Sequence, residues 1–360
     1  MKLDDILQTS SDQHANSYPD TPVKSKTYLI VGASRGIGLE LVRQLLLQQH
    51  QVIAVVRSIE SASSLWQLTN ATARPNQCVI EQCDVADSTQ IDAFMDRMRY
   101  SVERGGSIDT IVLNAGILQY DKGLGSLQVE FADLVHHLTV NCVGNVVLAR
   151  KLLNLNNLPF IKQERKRMEP VQSRSNDRRA ERGEGIQERV KRIKVGEDMP
   201  NNNSGLASRI IGSQVVFMSS DSGSMADFRE YEDGFAAYGA SKAALNMMIR
   251  HMAVELRRRS EKQTAENVKL EEKLDTKSQQ GVTATAAAPT STWEDEVCVL
   301  AMHPGEVATD MANINADLDW EVEGVISAEE SVRCMLKVLE DKGPSQTGTF
   351  WRWDGDQHPW

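Results

Sequence analysis

A phenol and an ammonium stand four residues apart in Tyr238-Gly239-Ala240-Ser241-Lys242, at the head of the run Ala243-Ala244-Leu245-Asn246-Met247-Met248. Residues i and i+4 share one face of a helix, so the two side chains are predicted to lie together. An ammonium beside a phenol favours the phenolate, which would draw a group with an ordinary pKa of about 10 toward proton exchange near neutral pH. Tyr238 is therefore a candidate general acid/base, with Lys242 as its partner. The competing reading is an ordinary surface helix.

Acid/base chemistry of this kind needs elements that bring a reactant to it. Thr27-Tyr28-Leu29-Ile30-Val31 reads as a buried strand running into Gly32-Ala33-Ser34-Arg35-Gly36-Ile37-Gly38, after which Leu39, Leu41, Val42, Leu45 and Leu46 repeat at helical spacing. At such a strand, glycine turn and helix start, backbone N–H groups and the helix dipole can receive a phosphate. The glycine spacing departs from Gly-x-Gly-x-x-Gly. A second strand, Val52-Ile53-Ala54-Val55-Val56, ends in Arg57-Ser58, where an NAD site presents an acid to the ribose 2′-hydroxyl. Arg35 and Arg57 could instead flank a 2′-phosphate with charge-assisted hydrogen bonds, which favours NADP(H) over NAD(H). Two solvated surface arginines are the alternative.

With these residues in place the chain resembles the short-chain dehydrogenase/reductase family, in order and along nearly its whole length. Gly32, Gly36 and Gly38 match the family's Gly-x-x-x-Gly-x-Gly turn, Asp84 and Val85 its adenine contact after the third strand, and Asn114, Ala115 and Gly116 its Asn-Ala-Gly. Asn141 stands at the family's catalytic asparagine, Val215-Val216-Phe217-Met218 leads into Ser219-Ser220, and Tyr238 with Lys242 forms the signature pair. His303-Pro304-Gly305, then Val307 and Thr309, match the family's Pro-Gly-x-x-x-Thr, which holds the nicotinamide carboxamide. The ending Gly348-Thr349-Phe350-Trp351-Arg352-Trp353-Asp354-Gly355 with Pro359-Trp360 is similar to that of C-factor and Sniffer-type carbonyl reductases.

The resemblance implies reversible hydride transfer between nicotinamide and a small carbonyl or alcohol substrate. Tyr238 would exchange the proton and Lys242 would stabilise its phenolate and bind the nicotinamide ribose. Ser220 would donate to the substrate oxygen, and Asn141 would position a water linking Lys242 to solvent. Each role has a competitor. Ser219 or Ser222 could replace Ser220, Asn141 could cap or kink its helix, and Asp84 could cap the helix from Ser88. Tyr238 lies eighteen positions after Ser220, more than the family's usual interval, so Ser224–Ala237 should bulge outward. Two further functions are an NADP(H)-binding regulator without turnover and an adaptor acting through the basic segment described next.

Strand-like runs alternate with helical ones, which predicts an α/β, Rossmann-like, doubly wound and mainly parallel seven-stranded sheet with helices on both faces. The expected organisation is a polar tail at 1–25 and one reductase domain at 26–360, interrupted by polar segments at about 158–212 and 257–296. Between Lys162 and Lys194 the first segment carries twelve cations against six acids. A basic run can dock on an anionic surface, but too little apolar surface to offset ordering entropy makes a solvated insertion the preferred reading. Asn313–Val325 is expected to close over the substrate, and its mix of Ile314, Leu318, Trp320, Val322 and acids suggests an uncharged, partly apolar ketone or aldehyde.

Hydrophobic content of 41% and charged content of 25% are those of globular domains, and a formal net charge of -10 argues against general nucleic-acid affinity. Five cysteines without a Cys-x-x-Cys suggest free thiols, no metal site and a cytoplasmic protein. Met1–Ser25 lacks the apolar centre of a signal peptide, and no run is long enough to cross a bilayer. The family resemblance also implies a homodimer or homotetramer.

Overall fold

A computed structural model describes residues 25–119, 126–157, 211–230, 232, 234–278, 293–312 and 324–360. The tail to residue 24, most of the first polar segment (158–210), part of the second (279–292) and most of the expected substrate loop (313–323) lie outside the described residues.

Seven strands form one sheet: β1 (Thr27–Val31), β2 (Gln51–Val56), β3 (Cys78–Gln82), β4 (Thr110–Leu113), β5 (Gln214–Met218), β6 (Cys298–His303) and β7 (Thr349–Arg352). Their order is β3-β2-β1-β4-β5-β6-β7, and every pairing is parallel. A parallel sheet needs cover on both faces, which is why its strands read as continuous apolar runs. Leu29, Val31, Ile53, Val55, Ile111, Val215, Phe217 and Val299 face one core. Tyr28, Ile30, Val52, Ala54, Val112, Val216, Leu300 and Met302 face the other. The first core is closed by α3 (Ser88–Glu103), α5 (Asn145–Leu153) and α6 (Ala236–Ser278), through residues such as Phe94, Leu148 and Leu245. The second is closed by α1 (Gly36–Leu47), α2 (Ser63–Thr72) and α7 (Ala328–Asp341), through Leu41, Leu65 and Leu336.

Strand order reverses between β1 and β4, and in sheets of this type ligands bind outside the carboxyl ends of the strands at that reversal. The helical stretch from Phe131 to Leu153 is not uniform. α4 (Phe131–Leu138) and α5 are joined by a wider π turn, Thr139–Gly144, whose centre is Asn141. α6 runs without a break from Ala236 to Ser278, so the second polar segment begins as an extension of the helix that carries Tyr238 and Lys242. Among the described residues no helix is long and apolar enough to cross a membrane.

Candidate active site

The glycine turn is built by close approach. The Asn114 amide donates to Gly32 O at 3.0 Å, while Gly32 N and Ala33 N both reach Val55 O, at 2.9 and 3.1 Å. A Cβ on Gly38 would lie 2.0 Å from Gly32 O and 2.7 Å from Asn114 Nδ2, so only glycine lets α1 start this close to the end of β1. Gly36 faces the Thr309 methyl, which places the segment after β6 over the turn. Ser34, Arg35 and Ile37 complete the turn, with Arg35 exposed and 3.7 Å from Asp310. Arg57 is exposed at the end of β2. Asp84 and Val85 follow β3, where Asp84 accepts from Ala86 N. The cap of α3 is Asp87, whose carboxylate takes Thr89 N and Gln90 N, so the capping alternative for Asp84 does not hold.

Three elements bring the catalytic candidates together at the far side of the reversal. β5 ends at Met218, and its carbonyl accepts from Lys242 Nζ at 2.9 Å. That contact anchors the ammonium 5.6 Å from the centroid of the Tyr238 ring. The Tyr238 phenol hydrogen-bonds the Ser220 hydroxyl. A Cβ on Gly223 would lie 2.7 Å from the Lys242 backbone, so the turn Asp221–Gly223 rests directly on α6 and holds Ser220 against Tyr238. Ser219 turns the other way, to Asn246 at 2.6 Å, and Ser222 hydrogen-bonds Glu232. Of the three serines, Ser220 is the one that engages the phenol.

Asn141 is fully buried in the π turn. Its amide accepts from Ile117 N at 2.7 Å and donates to Ile117 O and to Ser241 Oγ, both at 2.9 Å. It thus ties the loop after β4 to the helix of the Tyr-Lys pair. A Cβ on Gly116 would approach both Asn141 Oδ1 and Lys242 Nζ, so Asn114-Ala115-Gly116 leaves that corner open. Pro304, Gly305 and Val307 lead out of β6, where Ser331 donates to Pro304 O at 2.6 Å and Val307 bridges Ile326.

The electrostatics differ from the expectation for the pair. Burial pushes the Tyr238 phenol above its ordinary range, the Ser220 hydrogen bond pulls it down, and Asp221, Glu306 and Glu232 push it further up. Lys242 gives one of its three N–H groups to Met218 O, lies 5.6 Å from the centre of the phenol ring, and has its own pKa lowered by burial to about 8. In the protein alone, therefore, Tyr238 is a protonated donor rather than a poised phenolate.

Sequence reasoning missed the charged cluster beside the phenol. Arg229, in the segment between Ser220 and Tyr238, pairs with Asp221, with Glu232 at 3.0 Å and with Glu306 at 3.7 Å. Asp221 also meets His303 at 3.2 Å and accepts from Ser220 Oγ at 3.0 Å. Burial works against the Asp221 carboxylate, but His303, Arg229 and the Ser220 hydroxyl outweigh it and hold it below the usual carboxylate range. Burial keeps His303 neutral, with its pKa well below normal. Asp221, His303 and Glu306 lie close enough to share a metal ion, yet Arg229 already bridges both carboxylates, so the positive charge there is the protein's own. The one sequence signal was the long Ser220–Tyr238 interval, since a segment of that length must be tied down by something. It is held by Arg229 and by Met225 N and Ala226 N, which both donate to Trp360 O.

The short chain dehydrogenase family model matches residues 26–165. An uncharacterized oxidoreductase of Schizosaccharomyces pombe is 25% identical over 344 residues, 92% of this chain and 96% of that protein. The fold is shared with an NADPH-bound carbonyl reductase from chicken fatty liver, at a TM-score of 0.61 and 22% identity over 94% of this chain and 100% of that one. It is also shared with the carbonyl reductase Sniffer of D. melanogaster, at a TM-score of 0.58 and 18% identity over the same shares. The matched segment, the parallel sheet and the ordered motifs along its carboxyl edge agree: the chain is similar to short chain dehydrogenases over residues 26–165 and to an oxidoreductase along most of its length.

Proposed function

We propose that this protein is an NADP(H)-dependent reductase of small carbonyl compounds, with Tyr238 as its proton donor. The observation that carries the reading is the meeting of Tyr238, Ser220 and Lys242 beside a glycine cradle that a single Cβ would fill. The likeness to NADPH-bound carbonyl reductase supports the cofactor and the substrate class.

The residues present fit that cofactor. Gly32, Ser34, Gly36, Ile37 and Gly38 would receive the pyrophosphate at the start of α1. Arg35 and Arg57, both exposed at neighbouring strand ends, would flank the 2′-phosphate. Asp84 and Val85 would meet the adenine, Asn114, Ala115 and Gly116 the middle of the dinucleotide, and Pro304, Gly305, Val307 and Thr309 the carboxamide. When bound, NADP(H) supplies or takes up the hydride.

The chain's own residues do the rest. Ser220 turns its hydroxyl to the substrate oxygen and stabilises charge as it develops there. Tyr238, kept protonated by burial and by three nearby acids, gives its proton to that oxygen. Lys242, held by Met218 O, stabilises the phenolate left behind, and Asn141 keeps the loop after β4 and α6 in register for proton return. The raised phenol suits the reductive direction, in which a proton must be delivered.

A single reductase unit at 26–360, following a tail at 1–25 and interrupted at about 158–212 and 257–296, goes with this reading, as does a cytoplasmic location. Exposed Phe131 and Val135 on α4 and Met247 and Met248 on α6 support association into a homodimer or homotetramer. The test is a panel of aldehydes, ketones and quinones with NADPH, followed by loss of reduced-nicotinamide absorbance. Consumption is expected with several of them. Tight NADPH binding without turnover across the panel would favour a regulator over a reductase.

A further inference from the structure

We propose that this site selects against carbonyl compounds bearing an anionic group and favours those bearing a positive one, because the wall beside Tyr238 is built from Asp221, Glu232 and Glu306 around one guanidinium, that of Arg229. The inference rests on the reductase reading and concerns which carbonyl compounds that site accepts.

The wall comes from two separate parts of the chain. Asp221, Arg229 and Glu232 belong to the connection between Ser220 and Tyr238, and Glu306 to the segment leaving β6. Arg229 joins them, reaching Asp221 on one side and Glu232 and Glu306 on the other. Ser222 adds a hydrogen bond to Glu232. All three carboxylates act electrostatically on the Tyr238 phenol, so they also act on a carbonyl group placed against it.

The balance of charge there is negative. Among the described residues, three carboxylates face the Arg229 guanidinium and the Lys242 ammonium; Arg352, which also acts on His303, is paired with Asp354, and burial keeps His303 neutral. Arg229 does not offer itself to a substrate carboxylate, because three acids already hold it. Exposure orders the groups from the outside inward. Glu306 is the most open at 40%, then Arg229 at 25%, with Glu232 at 13% and Asp221 at 5%. An incoming molecule therefore meets a carboxylate first. Burial pushes both Glu232 and Glu306 upward, and neighbouring carboxylates push the same way, Asp221 on both and Glu232 on Glu306, while Arg229 pulls each back down. A further anion would add to that crowding, and a cation would relieve it.

The test uses the full-length protein with NADPH and three aldehydes that share one ring: para-carboxybenzaldehyde, its methyl ester and its dimethylaminoethyl ester. Each kcat/KM is divided by the same compound's rate of reduction by borohydride, which removes differences in intrinsic reactivity. The cationic ester should rank first, the neutral ester second and the free acid last, the acid falling about tenfold or more below the neutral ester. Glu306→Gln should raise the acid-to-methyl-ester ratio severalfold, and if that variant does not fold, the wild-type ranking decides alone. Equal values, an acid that ranks first, or an unchanged ratio in a folded Glu306→Gln protein would overturn the inference while leaving the reductase reading intact. Failure to reduce any of these aldehydes, or any compound of the wider panel, would remove the reductase reading and this inference with it.

Discussion

The two ends of the cleft are held by different means. At the β1–α1 end the fit is backbone against backbone. Gly38 packs on Gly32 O, the Asn114 amide closes the turn, and the charged groups, Arg35 and Arg57, stand outside in solvent. At the β5–α6–β6 end the side chains are held by charge. Arg229 joins Asp221, Glu232 and Glu306, His303 backs Asp221, and Lys242 is bound to a strand-end carbonyl. On the proposed reading the first end would receive a group whose shape does not vary, and glycine suits it because nothing protrudes. On the proposed reading the second would stabilise changing charge, with an ionic frame whose members raise and lower one another. The family model's match, residues 26–165, falls on the first end.

That contrast can be broken from either side. Tyr238→Phe removes the proposed proton donor and should lower kcat for carbonyl reduction by about 10²–10⁴-fold, with NADPH affinity within a few fold of wild type by fluorescence titration. Near-normal turnover would remove Tyr238 from the chemistry. Ser220→Ala should cost about 10²–10³ in kcat, the size of a lost oxyanion donor, whereas Ser219→Ala should act on stability through Asn246 instead. At the other end, Gly38→Ala forces a Cβ onto a backbone oxygen and should destabilise the fold by about 1–3 kcal/mol, seen as a lower Tm. Arg57→Ala should weaken NADPH binding by roughly tenfold and leave NADH binding unchanged, since the proposed contact is with the 2′-phosphate alone. Equal loss for both dinucleotides would mean that Arg57 does not read the phosphate.

The smallest effect concerns pH. Burial lowers Lys242 from 10.5 to about 8, so its positive charge is present below that value and lost as pH rises through it. If the ammonium is needed, kcat/KM for reduction should decline above about pH 8 rather than above pH 10. Lys242→Arg keeps its charge throughout and should lack that decline even at a lower overall rate.

Much of the fold was legible because its signals are local. Val31 running into Gly32, Val56 into Arg57 and Met218 into Ser219-Ser220 each mark a strand ending in a turn, and parallel strands buried on both faces leave unbroken apolar runs. The π turn at Asn141 was not legible, because nothing in Thr139–Gly144 separates it from the helix on either side. What distinguishes it is the pull of Ile117 and Ser241 on the asparagine amide, two partners remote in the chain. The same holds for Arg229. Its type was visible, but its three carboxylates come from the end of β5, its own segment and the exit of β6.

Residue types and their spacing alone determined the parallel sheet, the glycine turn and the pairing of Tyr238 with Lys242 on one helix face, since each depends on neighbours within a few positions. Only the tertiary structure decided the state of that pair. It set the half-buried phenol among acids brought from elsewhere and turned the ammonium to Met218 O, and a proton's affinity depends on every charge and dipole within reach, whatever the distance along the chain.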